Sequence, residues 1–348
     1  MNEKYRALND NAKERMLSDL KLITNDKRVL ERCKQEIEIL YDRGQLFLIQ
    51  YLFLYREIFS KVNYRFNGFE NNLLVLYVLG MSKVNPLEYN LPYEVFEESH
   101  DLTLYVEFIN EIPDNFVNEC NTVFCDSFIL IKGRFEKEKD EALNELLSNH
   151  YIVIPKSDYK KIGNISDYRD VEDEYLTIKL THKQPIHSEH VSIINAFKTD
   201  FEKHIADIIE PKDFDDYVKI ISMGYGRNVW NDNQDEMFIN NQIDVKNIIS
   251  SREDVYNYLV EHGISKKISL EIMNYVRKGR GCPDCTRFSN EWNSYKKIMK
   301  KHNCEDWFIE VCSKIKYLYG KGRAIGECLY VLDESNYNNC DIISIVKE

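Results

Sequence analysis

The hydrophobic pattern changes period twice along the chain. Near the N-terminus, Val29, Leu30, Cys33, Ile37 and Leu40 fall on one face of a helix. Gly44 follows as a break, and the apolar run from Leu46 to Phe59 reads as a second, buried helix. In the middle the period drops to two: Leu102, Leu104, Val106 and Phe108 share one face of a half-buried strand. Ser127–Lys132 and Tyr151–Pro155 are further strand candidates, and a charged helix with a solvated face is expected over Glu136–Leu147. From Phe201 to Lys321 the helical period returns, with Val255, Leu259, Ile264, Ile268, Ile272, Tyr275 and Val276 marking short helices. Ser265 and Ser269 can cap entering turns there, and Gly279 and Gly281 break the run after Val276. The fold class that follows is α+β, with strands confined to the middle and helices on either side.

Composition adds bounds. The 348 residues are 43% hydrophobic and 30% charged with 7 Pro and 13 Gly, a globular rather than a disordered mixture. A net charge of −12 argues against a generally basic surface for nucleic acid, though a local basic groove is compatible with it. Nine cysteines without disulfide-framework spacing point to reduced thiols. The N-terminal stretch is charged, without the apolar core of a secretion signal, and the apolar runs at Leu46–Tyr55 and Leu73–Met81 are too short to span a bilayer. A cytoplasmic protein with no membrane contact is the expectation.

Candidate chemistry concentrates late in the chain. Arg277, Lys278, Arg280 and Arg287, followed by Lys296, Lys297, Lys300 and Lys301, form the one concentrated basic region, with Trp292, Tyr295 and Trp307 interleaved. Cations for phosphates and rings for bases suit a nucleic-acid surface, while Trp292, Tyr295 and Met299 equally fit the buried stripe of an amphipathic helix. Cys282 and Cys285 form a single CxxC, whose alternatives are zinc, with Cys304, Cys312 or His302 completing the site, and free thiols in a turn. His182, His187 and His190 lie close in sequence; His187 and His190 are three apart, but no third ligand is specified, and these read as surface or cap histidines before metal ligands.

Blocks of identity say more than periodicity does. Gly226-Arg-Asn-Val-Trp230, Ser251-Arg-Glu-Asp-Val255, Tyr275-Val-Arg-Lys-Gly279 and Lys314-Ile-Lys-Tyr317 follow in order and spacing the fingers region of bacterial C-family replicative DNA polymerases. The chain most resembles the PolC type of the DNA polymerase III alpha subunit. Val84-Asn-Pro-Leu87 and Leu91-Pro-Tyr-Glu94 resemble its palm, and the resemblance runs from about Leu40 to Val331. It implies N-terminal helices over 1–62, a nucleotidyltransferase-like palm with a mixed sheet over 63–197, and mostly helical fingers over 198–348. Leu102–Phe108, Tyr151–Pro155 and Leu176–Leu180 should then be neighbouring strands of one sheet.

The same resemblance implies what is missing. In the family a small-residue loop holds the incoming triphosphate; here Arg65-Phe-Asn-Gly-Phe-Glu-Asn-Asn72 keeps only Gly68, admits two phenylalanines and brings Glu70 towards any phosphate. Two carboxylates at i and i+2 lie about 7 Å apart along a strand and can bridge two Mg²⁺ ions. The family's pair falls on Thr103 and Tyr105, and its third carboxylate on Ile178 or Lys179. Asp101 and Glu107 are six residues apart, about 20 Å along a strand, too far to hold a metal pair. Tyr319-Gly-Lys-Gly-Arg-Ala324 stands in place of a segment that helps bind nucleotide and primer, with Lys321 retained and Arg323 in place of histidine.

The expectation is a catalytically inactive PolC-like protein without a cofactor, binding DNA or a replication protein through Arg277, Lys278, Arg280, Lys321 and Arg323. The alternative is an active DNA polymerase or nucleotidyltransferase that holds Mg²⁺ through displaced carboxylates, Asp101, Glu107, Glu172 and Asp173.

Overall fold

The computed structural model describes residues 6–50, 64–66, 68–97, 103–108, 128–132, 150–155, 176–182, 197, 199–283 and 289–337. The helices expected over 51–59 and 136–147, and Asp101, Glu172, Asp173, His187, His190, Cys285 and Arg287, lie outside them. The chain divides into two units, residues 1–86 with 99–187, and residues 87–98 with 188–348. No helix among the described residues is long and apolar enough to cross a membrane.

The first unit opens with two helices, α1 (Arg6–Ile23) and α2 (Lys27–Asp42). Asp26 caps α2 by accepting from Arg28 N at 2.8 Å. Ala12, Met16 and Leu20 of α1 and Cys33, Ile37 and Leu40 of α2 are buried, as the apolar spacing requires, and residues 46–50 begin a further helix. A short helix α3 (Leu74–Val78) packs on α2.

The strands are β1 (Tyr64–Phe66), β2 (Thr103–Phe108), β3 (Phe128–Lys132), β4 (His150–Pro155) and β5 (Leu176–His182). They form one mixed sheet in the order β1-β2-β5-β4-β3, in which only β2 and β5 run parallel. The three segments expected to be neighbours are therefore adjacent, as β2, β5 and β4. Leu104 and Val106 bury the apolar side of β2. Strand β1 is a departure from the expected loop over 65–72. Tyr64 and Phe66 alternate about Arg65, which pairs across to Glu107 on β2, so the segment has reason to join the sheet edge before a 3₁₀ turn at Phe69–Asn72.

The second unit is helical: α4 (Glu94–Glu97), α5 (Asp200–Ile209), α6 (Phe214–Gly224), α7 (Asp235–Ile239), α8 (Arg252–Glu261), α9 (Lys266–Arg277), α10 (Ser289–Lys301), α11 (Asp306–Lys314) and α12 (Lys321–Tyr337). The α+β class thus divides by unit, with the sheet in the first and these helices in the second. Thr199 and Ser251 form capping boxes with Glu202 and Asp254. Ser265 occupies the N-cap of α9 without a side-chain bond. Ser269 is no cap: it lies one turn inside α9, buried, donating to Ile264 O at 3.3 Å, because a serine hydroxyl inside a helix can satisfy itself on a preceding carbonyl.

The sequence division set residues 87–98 with the palm-like stretch. They pack instead in the second unit, where Glu94 pairs with Lys266 at 2.5 Å, Asn257 donates to Asn90 O at 2.9 Å, and Tyr89 lies 5.5 Å from Phe214 ring to ring. These contacts join residues more than a hundred positions apart, which no local pattern reports.

Candidate functional site

In the first unit, the positions expected to hold metal-binding carboxylates come together without any carboxylate among them. The parallel register of β2 and β5 sets Thr103 beside Thr177, Leu104 beside Ile178 and Tyr105 beside Lys179. Because strand residues alternate, Lys179 shares its register row with Thr103 and Tyr105, and Ile178 shares the other row with Leu104. Glu107 is engaged already: Arg65 Nε donates to its Oε2 at 2.6 Å, its terminal nitrogen closes a second contact, and both side chains are largely buried.

The chain's own acids occupy the neighbouring turn. A Cβ on Gly68 would meet the carboxylate of Glu70, and would lie 3.3 Å from the Tyr105 ring. Glu70 is buried there. Glu36, fully buried on α2, accepts from Val75 N at 2.8 Å at the start of α3 and from Arg32 Nε at 2.9 Å. Burial pushes the Glu36 carboxyl up, against the opposing pull of the Val75 N–H and Arg32. A Mg²⁺ pair does not fit these residues: threonine, tyrosine and lysine offer no bridging anions, and the one nearby described acid on β2 is bound to arginine.

The second unit is built around the first turn of α8. Ser251 caps the helix and bridges to Tyr319, and Arg252 receives from both directions: its N donates to Tyr319 O at 3.0 Å and its Nε to Leu318 O at 2.9 Å. Glu253, fully buried, accepts from Lys321 N at 2.7 Å. Asp254 Oδ2 accepts from Ser250 N, Ser250 Oγ and Ser251 N, each at 2.9 Å. Burial raises the Asp254 carboxyl, but Lys219, Lys321 and the Ser250 bonds outweigh it and hold the group below its usual range. Three successive residues, Ser251, Arg252 and Glu253, thus fasten the segment 318–321 to the start of α8, and Asp254 fixes the turn that enters it.

Two glycines bring the remaining blocks to the same segment. A Cβ on Gly226 would lie 2.6 Å from Tyr317 O, and one on Gly279 would lie 2.7 Å from Lys316 O. Gly279 also has φ +66, a left-handed conformation that suits glycine. A fully buried amide, Gln234, completes the frame by donating to Val229 O at 2.8 Å and Ile249 O at 2.9 Å while accepting from Ile249 N at 2.9 Å. The four blocks singled out in the sequence are therefore one packed constellation centred on residues 314–321.

The expected binding residues divide over this frame. Arg277, Lys278 and Arg280 gather with Arg252: burial and the charges of Arg252 and Arg280 lower Arg277 to about 10, and burial with Arg277 and Arg280 lowers Lys278. Arg277 Nε donates to Asn274 Oδ1 at 2.7 Å, and Arg280 lies 6.0 Å from the Tyr275 ring. Arg323 sits elsewhere, 5.0 Å over Tyr319 and 5.9 Å over Tyr225. Lys321 lines a cleft of about 560 Å³ with Lys219, Asp254, Tyr258 and Trp307, which none of the arginines line. Arg252, beside this cluster, was not among the residues expected to bind, and it is buried with its Nε on Leu318 O. A cation in the first turn of a helix opposes the helix dipole, and that mismatch is the sequence signal for a residue held there by another contact, here the Leu318 carbonyl.

The interleaved aromatics are mostly core. Trp292 and Met299 are buried, with Trp292 stacked 6.0 Å from Tyr275 and pressed on Gly281. Lys297, Lys300 and Lys301 line the opposite, exposed side of α10. Cys282, Cys304 and Cys312 are buried; burial lifts Cys304 to about 11, and no metal-binding group of His, Cys, Asp or Glu occurs among the described residues.

No family model matches the chain. Over 131 residues, 38% of this chain, it is 34% identical to a DNA polymerase III PolC-type of Halalkalibacterium halodurans, of which it covers 8%. Over 129 residues it is 36% identical to a DNA polymerase III PolC-type of Caldanaerobacter subterraneus subsp. tengcongensis, covering 37% of this chain and 9% of the relative. The corresponding protein of Bacillus subtilis is 33% identical over 131 residues, again 8% of its length. The chain is thus PolC-like over more than a third of its own length and spans under a tenth of these relatives.

Proposed function

We propose that this chain is a catalytically inactive, PolC-like protein, with a palm-like first unit and a fingers-like second unit, that engages DNA or a replication protein through the second. The observation that carries the reading is the contrast in charge at the two sites. Thr103, Tyr105 and Lys179 stand on one register row where metal-assisted nucleotidyl transfer needs carboxylates, while Arg252, Arg277, Lys278 and Arg280 crowd one another on a frame held by Gly226 and Gly279. Crowded cations raise each other's energy, and an arriving phosphate relieves it.

Two experiments test the two halves. Primer extension with Mg²⁺ or Mn²⁺ is expected to add no nucleotide above a no-protein control; extension that disappears in Glu107→Ala would establish the alternative of a displaced active site. A titration with DNA is expected to give a log K against log salt slope of about −2 to −4, for three to five phosphates contacted. Absence of DNA and RNA binding at low salt would shift the partner to a protein.

A further inference from the structure

Two tyrosines on the second unit are partly exposed: Tyr225 by 43% and Tyr317 by 41%. Both belong to the constellation just described. Tyr225 is stacked on the buried Tyr319 at 4.0 Å and 6° between planes, and its hydroxyl donates to Glu327 at 3.2 Å. Gly226, the next residue, lies close against the Tyr317 carbonyl, so the two tyrosines sit on backbone segments packed side by side. Cations flank each ring. Arg252 lies 5.9 Å from the Tyr317 ring centre, with Arg277 and Arg280 beyond it, and Arg323 lies 5.9 Å from Tyr225.

We propose that Tyr225 and Tyr317 form a stacking ledge for the bases of single-stranded nucleic acid, whose phosphates lie along Arg277, Lys278 and Arg280. The inference rests on the nucleic-acid reading above and names its substrate class. In a duplex the bases are stacked on one another and present only edges, so an exposed ring has no face to receive. In a single strand every base offers a π-face, and rings beside a cationic track are the arrangement that uses it. The ledge is held rigid from below. Tyr319 is buried and donates its hydroxyl to Glu327 at 2.6 Å, and burial with the Glu327 charge raises that phenol far above its usual range, so the support keeps its proton. A fixed ring loses little freedom on stacking.

The test is fluorescence anisotropy of the full chain with a labelled oligothymidylate, the same length of oligouridylate, and a duplex. The wild type is expected to bind the single strands more tightly than the duplex, the two single-stranded arms showing whether the sugar matters. Tyr317→Ala is expected to weaken single-strand binding roughly tenfold, with duplex binding unchanged, and Tyr317→Phe to retain it, because the ring and not the hydroxyl stacks. Arg277→Ala with Lys278→Ala is expected to weaken both forms together. Equal binding of both forms with no effect of Tyr317→Ala overturns the ledge and leaves the electrostatic reading standing. Absence of binding by all three probes overturns that reading as well. Should Tyr317→Ala alter the circular dichroism or melting of the protein, quenching of tyrosine emission by oligothymidylate in the wild type decides: saturable quenching supports the ledge and its absence overturns it.

Discussion

The two units treat their charged residues in opposite ways. In the first, the acids near the register row of Thr103 and Tyr105 are turned to internal use: Glu107 pairs with Arg65, Glu70 lies against Gly68, and Glu36 caps the turn into α3. In the second, the acids do structural work, Glu253 and Asp254 holding the backbone of 318–321 and 250–251, while Arg252, Arg277, Lys278 and Arg280 gather with one another. A catalytic centre depends on a few side-chain identities, and a fold tolerates their loss when each new charge finds a partner. A binding frame depends on backbone approach, which is set by glycines and buried amides, so it survives as a unit or is lost as one.

The largest effect that would break this comparison concerns those glycines. Gly279→Ala combines a left-handed backbone with a Cβ 2.7 Å from Lys316 O, and is expected to cost about 3 kcal/mol or more. Gly80→Ala in the first unit has φ +69 but open space around it, and is expected to cost only about 1–2 kcal/mol, from strain alone. Denaturant unfolding of the two variants checks the difference; equal costs would mean the close approach at Gly279 contributes nothing.

Next comes Gln234→Ala. It strands the Ile249 N–H and two carbonyls in a buried site, with an expected loss of about 2–4 kcal/mol in the same measurement. A loss below about 1 kcal/mol would show that water replaces the amide there.

A buried carboxylate, Glu36, and a half-buried one, Asp254, sharpen the contrast through pH. Glu36 ionises less readily folded than unfolded, so its contribution to stability declines as pH rises from about 4.5 through its raised value. Asp254 ionises more readily folded, so its contribution is present above about 3.8 and is lost as pH falls below that. Unfolding of Glu36→Gln and Asp254→Asn across pH, each compared with wild type, is expected to give slopes of opposite sign in those two windows. Slopes of the same sign would remove the distinction between a strained acid in one unit and a supported one in the other.

The smallest effect on stability is expected for Lys278→Ala, an exposed residue whose loss should shift stability by less than about 0.5 kcal/mol. It should nevertheless flatten the salt dependence of DNA binding by about one unit, if Lys278 contacts a phosphate. An unchanged slope would remove Lys278 from the binding surface.

Alternation was enough to find β2 nearly residue for residue, because it reports which side of a strand is buried whatever the strand pairs with, and β5 was located by the resemblance to the polymerase palm. The helices around Val255–Val276 were equally legible, since an apolar stripe and Ser251 at a cap need no distant partner. Strand β1 was missed because three residues carry too little period, and its reason to exist is the pair between Arg65 and Glu107, forty-two positions apart. The choice between Ile178 and Lys179 was beyond any local reading: it is a matter of register between two strands, and a parallel pair far apart in sequence sets it only on folding. The residues expected to bind were legible as types and not as a site. Arg277, Lys278 and Arg280 follow one another and stay together, whereas Lys321 and Arg323, two positions apart at the start of α12, enter a cleft and an aromatic stack respectively. Residues two apart on a helix point about 200° from one another, so sequence proximity there separates side chains, and only the packing around them decides what each one meets.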